Sequence, residues 1–180
     1  TYSISGTDAS YFDINSSTGK ITFKNSPNYE VKTSYSITTT ATETNGTGLS
    51  ANKAITINIT NVNEAPVSNN ISITTNEDTA YTGTLSASDV DANTTLTYSI
   101  VTQPTKGTVT ITNVNTGAYT YTPSLNSNGT DSFTFKASDG SLSSNNSTVS
   151  ITINPINDAP VLNASYDNSK NDILYDSTNL

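Results

Sequence analysis

Apolar residues in this chain recur at every second position, in short bursts. Ile55, Ile57 and Ile59 are separated by polar residues. So are Phe133, Phe135 and Ala137, and so are Val149, Ile151 and Ile153. Tyr119 with Tyr121, and Ile71 with Ile73, follow the same rule. A strand points successive side chains to opposite faces, so a period of two predicts half-buried strands. Between the bursts lie turn phrases: STGK at 17–20, TNGTG at 44–48 and SDGS at 138–141. These are rich in the residues that tolerate tight or left-handed backbone. No stretch sustains the 3.6-residue period of an amphipathic helix. The pattern predicts an all-β fold built as an antiparallel sandwich.

The pattern also repeats. TYSI at 1–4 returns at 97–100, a shift of 96, and Pro27 answers Pro123 at the same shift. ATE at 41–43 answers ASD at 137–139, again at 96. INITNVNEAP at 57–66 answers TINPINDAP at 152–160 with a slightly shorter shift, as loop variation gives. The repeat predicts three segments. Residues 1–64 match the last two-thirds of a unit, 65–158 form a complete unit, and 159–180 form a linker and open a further one. On this reading the first domain is truncated: its counterpart of 67–96, expected to hold two strands, would precede Thr1 in a longer tandem array.

Composition narrows the chemistry. Of the 180 residues only 32% are hydrophobic, and the net charge is −8. Low hydrophobicity alone would suit a disordered chain, but the alternation of branched and aromatic residues argues for strands. The negative charge disfavours nucleic acid and anionic membranes as partners. Cysteine and histidine are absent, so there is no disulfide, no thiolate zinc site and no Ser-His-Asp triad. An enzyme is therefore not expected. A β domain without disulfides needs another staple, and a metal ion supplies one.

The order of several motifs resembles a known family. TYSISGTDASYFDINSSTGKITF, then NYE, ATETNGTG and ITINITNVNEAP, resemble a bacterial cadherin domain over nearly all of residues 1–66. NEDTAYTGTLSASDVDANTTLTYSI, GAYTYTPSLNSNGTDSFTFKASDGS and VSITINPINDAP resemble the related cadherin-like repeats of large bacterial surface adhesins. The resemblance implies tandem Greek-key, immunoglobulin-like sandwiches with calcium at the junctions. It also implies an extracellular, cell-surface or secreted setting. Carried over residue by residue, it assigns Asn28, Glu30, Asn61, Asn63, Glu64, Asp89, Asp91 and Asp139 to the first junction. Glu77, Asn157 and Asp158 fall to the second, with Asp131 as a lesser addition. The pattern departs from the vertebrate one: Asn28 and Asn61 replace aspartates, and Pro155 stands where Asn61 stands in the other joint. Asn126 stands where Glu30 stands. Fewer carboxylates imply one or two ions at the first junction rather than three.

The donor chemistry agrees with that implication. Calcium takes about 6 to 8 oxygen ligands, and these side chains offer only oxygen-bearing carboxylates and amides. Zinc and copper would want nitrogen or sulfur, and magnesium keeps its waters. Taken singly, an acidic residue on an acidic chain is ordinarily a solvated side chain, and SDGS is ordinarily a turn. It is the combination in order that points to a metal. The expected function is a calcium-rigidified spacer or adhesion module. Its partners would be calcium and neighbouring repeats, with a cell-surface protein or glycan engaged through distal domains. The alternative is a β-sandwich that binds carbohydrate or protein, with Tyr2, Tyr35, Tyr98, Tyr119 and Tyr121 as a stacking face. Alternating tyrosines are more often core.

Overall fold

The computed structural model describes residues 1–44, 46 and 48–159. The expected opening of a further repeat lies, from residue 160 onward, outside the described residues. The chain divides into two units, Thr1–Asn63 and Glu64–Leu180. Both are β structures, and the described residues add only one short 3-10 turn, Ala9–Tyr11.

In the first unit, β1 (Tyr2–Ser5), β4 (Ser34–Thr42) and β5 (Ser50–Asn58) form an antiparallel sheet in the order β1-β4-β5. A hairpin of β2 (Phe12–Ile14) and β3 (Ile21–Phe23) stands beside it as a separate ladder. Its turn is capped by Asn15, whose Oδ1 accepts from Ser17 N and Thr18 N, both at 2.9 Å. Register sets the core: Tyr35 faces Ile57 and Ile37 faces Ile55 across β4 and β5. Phe12, Tyr35 and Ile37 are buried, with Phe23 and the β5 isoleucines packed against them. Rings of Phe12 and Phe23 lie 4.4 Å apart, and Tyr35 meets both edge-on. Such edge contacts add to the area term because the ring edge is positive and the face negative. One polar group enters this core: Asp8 Oδ2 accepts from Ser36 N at 2.8 Å, while its Oδ1 pairs with Lys32 Nζ at 3.0 Å.

The described residues of the second unit form nine strands. These are β6 (Val67–Ser68), β7 (Ile71–Asn76), β8 (Tyr81–Thr84), β9 (Ala87–Ser88), β10 (Thr97–Thr102), β11 (Gly107–Asn113), β12 (Ala118–Pro123), β13 (Gly129–Ser138) and β14 (Ser147–Asn154). One sheet runs β10-β13-β14-β7, another β11-β12-β8, and β6 pairs with β9. The two inner faces meet in Val109, Tyr119, Tyr121, Phe133, Phe135, Val149, Ile151 and Ile153, all at most 5% exposed. Full burial of each such side chain stabilises by about 1.5–3 kcal/mol, which makes these alternating rows the main source of the unit's stability.

Two features differ from the sequence expectation. The sandwich is not wholly antiparallel, because β7 runs parallel to β14, from Ile71↔Val149 to Asn76↔Asn154. Residues 67–96 were expected to give two strands and give four short ones. Each expected strand is broken by a kink: β6 and β7 flank residues 69–70, and β8 and β9 flank 85–86. The break lets β7 join β14 while β6 pairs with β9, so the chain changes sheet between them.

Candidate metal centre

The sequence DVDAN follows β9 directly. Asp89 Oδ1 accepts from Asp91 N at 2.9 Å, the local turn that aspartate makes with backbone two residues on. Thr94 Oγ1 donates to Asp91 O at 3.0 Å, and Asn93 takes a left-handed φ of 64°, which closes the loop. Asparagine tolerates that conformation better than most side chains. Asp91 Oδ2 then accepts from Glu64 N at 3.0 Å, tying this loop to the first residue of the unit. The ladder explains the meeting. Val67 pairs with Ser88, so the chain before β6 and the chain after β9 leave at the same end.

Carboxylates gather there. Glu64 and Asp91 have carboxylate oxygens within 4.8 Å of each other. Asp89, fixed by its Oδ1, holds its Oδ2 buried and without any hydrogen-bond donor. A buried carboxylate oxygen with no donor is costly, and nearby negative charge makes it costlier. A divalent cation removes both penalties, and the donors are hard oxygens, so the residues fit calcium.

The segment is anchored behind the carboxylates. Pro66 is fully buried. Ser68 N and Oγ bond to the side chain and backbone of Asn145 at 3.1 and 2.7 Å, and Asn145 Nδ2 returns to Ser68 O at 3.2 Å. Ser147 completes this buried clamp, 2.7 Å from Ser68 Oγ. Sequence reasoning missed Ser68, Thr94, Asn145 and Ser147. None carries charge or period, and only their partners in space reveal them.

The other predicted residues are placed as follows. Asp139 sits in the turn after β13, its Oδ1 accepting from Ser141 N and Leu142 N, both at 2.6 Å. Because Thr97 pairs with Ser138, this turn leaves its sheet at the end where the chain enters β10, just after the DVDAN loop. In the first unit, Asn28 Oδ1 caps a turn by accepting from Val31 N at 3.1 Å, and Glu30 is exposed within that turn. Asn61 and Asn63 are exposed in the tail after β5. Glu77 is buried at the end of β7, and Asn157 and Asp158 follow β14.

Asp131 is placed away from any loop end, inside β13 and 9% exposed. It accepts from Thr105 N, Lys106 N and Ser132 N at 2.9 Å and from the Tyr121 hydroxyl at 2.8 Å. Burial alone would raise its pKa. The donors from Thr105, Tyr121, Ser132 and Lys106 outweigh burial and hold it below the usual carboxylate value. Its role is to lock the 103–106 turn onto β13. Of the tyrosines considered as a stacking face, Tyr35, Tyr119 and Tyr121 are buried and Tyr98 packs against the core, while Tyr2 is 42% exposed.

Residues 63–152 match a family described as bacterial Ig domain. The chain belongs to that bacterial Ig domain family. This Ig-like domain is also similar to solved cadherin ectodomains, and the matched family is not an enzyme family. One neighbour is human protocadherin-24 EC1-2, with TM-score 0.64 and 21% identity over 89% of this chain and 82% of that one. Mouse protocadherin-24 EC1-3 gives TM-score 0.63 and 23% identity over 90% and 56%. A protocadherin gammaB7 EC3-6 structure gives TM-score 0.64 and 25% identity over 89% and 42%. The chain thus spans about half the length of the last two. At these identities the likeness establishes the cadherin-like sandwich. No curated protein matches the chain.

Proposed function

We propose that this Ig-like, cadherin-like chain is an extracellular spacer of a large bacterial surface or secreted protein, stiffened by calcium between its two units. In this reading Glu64, Asp89, Asp91 and Asp139 of the second unit hold the ion. Asn28, Glu30, Asn61 and Asn63 of the first unit complete its shell. The observation that carries the proposal is the buried, donorless Asp89 Oδ2 in the loop of Asp91, whose carboxylate lies within 4.8 Å of that of Glu64.

The mechanism is electrostatic. Carboxylates brought to ~4 Å repel by about 1 kcal/mol per pair in bulk water, and more where water is excluded. Without an ion the segment around residues 61–66 opens to relieve that repulsion. With one, ligands from both units share a single charge and the relative angle narrows. Small-angle scattering with and without calcium tests this directly. Calcium is expected to narrow the distance distribution of the wild type and leave Asp89→Ala and Asp139→Ala unchanged. Superimposable wild-type profiles would count against the spacer mechanism.

A further inference from the structure

The far end of the second unit also gathers carboxylates, yet it treats them differently. Parallel pairing of Asn76 with Asn154 ends β7 and β14 side by side, so Glu77, Asp78 and Asp158 emerge close together. Here the acceptors have donors. Glu77 Oε1 accepts from Ile156 N, and its Oε2 from Asn128 Nδ2 at 3.4 Å. Asp78 Oδ1 accepts from Asn126 N at 2.9 Å. The carboxamide of Asn126, an exposed residue, lies beside Asp78 and Asp158. With its nitrogen inward it donates to Asp158 Oδ2 at 3.1 Å and to Asp78 Oδ2 at 3.2 Å. With its oxygen inward it would meet only acceptors.

We infer that Asn126 is a built-in substitute for a cation, and that this end of the unit is closed without metal. A carboxamide has two N–H donors, and the geometry gives each one a carboxylate. At the shift of 96 that relates the repeats, Asn126 stands where Glu30 stands. One carboxylate is thereby exchanged for the donor that makes an ion unnecessary. The backbone is suited to the exchange: Asn126 adopts φ 53°, a left-handed conformation that asparagine tolerates. On this inference an amide bridge takes the place of the calcium expected at Glu77, Asn157 and Asp158. Calcium sensitivity then belongs to the Asp89 end alone.

The test is residue-resolved NMR on the whole chain, titrated with calcium chloride to about 10 mM, ten times the weak limit of extracellular sites. The Asn126 side-chain NH₂ and the backbone amides of Asn126 and Ile156 are expected to stay fixed in the wild type. The NH₂ protons should also exchange slowly with solvent. Asn126→Asp keeps a residue that tolerates the left-handed backbone but removes both donors. In that variant the Ile156 amide is expected to shift with calcium, with a midpoint on the order of 10⁻⁴–10⁻³ M. Calcium-dependent shifts at Asn126 or Ile156 in the wild type would overturn the inference, as would free solvent exchange of the NH₂. A folded Asn126→Asp chain that ignores calcium at Ile156 would do so too. Binding at the other end is read separately, at the Asp89 and Asp91 amides, so failure there leaves this result standing.

Discussion

At the scale of single residues, the second unit buries the carboxylate of Asp131 and supplies it with donors. Asp131 accepts from three backbone N–H groups and the Tyr121 hydroxyl. Hydrogen bonds to a charged group contribute about 1.5–3 kcal/mol each, less the cost of burial. Asp131→Asn exchanges an acceptor oxygen for a donor aimed at other donors, and is expected to destabilise the unit by about 2–3 kcal/mol in urea melts. The pH signature follows from sign. The folded pKa of Asp131 lies below the ordinary aspartate value of 3.8. Its contribution is therefore complete above that value and is lost as pH falls through the depressed folded value. Asp131→Asn should flatten the acid limb of stability measured below about pH 4. Tyr119 gives the opposite limb. Burial, then the nearby Tyr81, pushes its hydroxyl up from 10.0 to about 12. The unfolded chain gives up that proton first, so stability falls as pH rises from 10 towards 12. Tyr119→Phe, which keeps the ring and removes the ionising group, should weaken that alkaline loss. Equal alkaline limbs for the two chains would mean the hydroxyl is not shielded.

At the scale of elements, close backbone approach holds β11 against β12. A Cβ added at Gly107 would lie 2.5 Å from Thr122 O and 2.8 Å from the Tyr121 ring. The carbonyl sits next to the β11–β12 ladder and the ring is fully buried, so neither yields readily. Gly107→Ala is expected to cost about 1–3 kcal/mol by strain, seen as a lower urea midpoint with unchanged slope. Much of this level was legible in the sequence. The burial of β14 alternates from Ser147 to Asn154 in step with its Val149, Ile151, Ile153 pattern, and β12 and β13 do the same. What escaped has physical causes. β6 and β9 are two residues each, too short to show a period. The parallel pairing of β7 with β14 joins residues 78 apart, a relation that no local pattern encodes. The acidic positions of the candidate metal centre stand out in the sequence because Asp89 and Asp91 flank a turn in a recognisable phrase. The clamp of Ser68, Asn145 and Ser147 could not, since three small polar residues look like any loop until the fold brings them together. Asn126 shows the same limit more sharply: the sequence marks a missing carboxylate, and only the fold brings the amide that replaces it next to Asp78 and Asp158.

At the scale of the whole molecule, the decisive question is whether calcium acts on one unit or on two. A ligand that binds only the folded state stabilises it by RT ln(1 + [L]/Kd). For an extracellular site with Kd on the order of 10⁻⁴–10⁻³ M, 10 mM calcium contributes about 1.4–2.7 kcal/mol. In a domain of roughly 100 residues, each kcal/mol moves the melting temperature by about 4–8 °C, so the effect is well within reach of calorimetry. An ion held by Glu64, Asp89 and Asp91 alone stabilises the second unit and leaves the first where it was. An ion that also takes oxygen from Glu30 and the asparagines of the first unit must stabilise both, because unfolding either one removes ligands. Hydrogen exchange separates the cases. Calcium should slow exchange along β4 and β5, around Tyr35 and Ile37, as well as along β9 and β10. Glu30→Gln should abolish the β4–β5 response while leaving part of the other. Magnesium at the same concentration should do little, since it parts reluctantly with its waters. If β4 and β5 exchange at the same rate with and without calcium while β9 and β10 are protected, the ion belongs to the second unit alone, and stiffening across the joint must be abandoned.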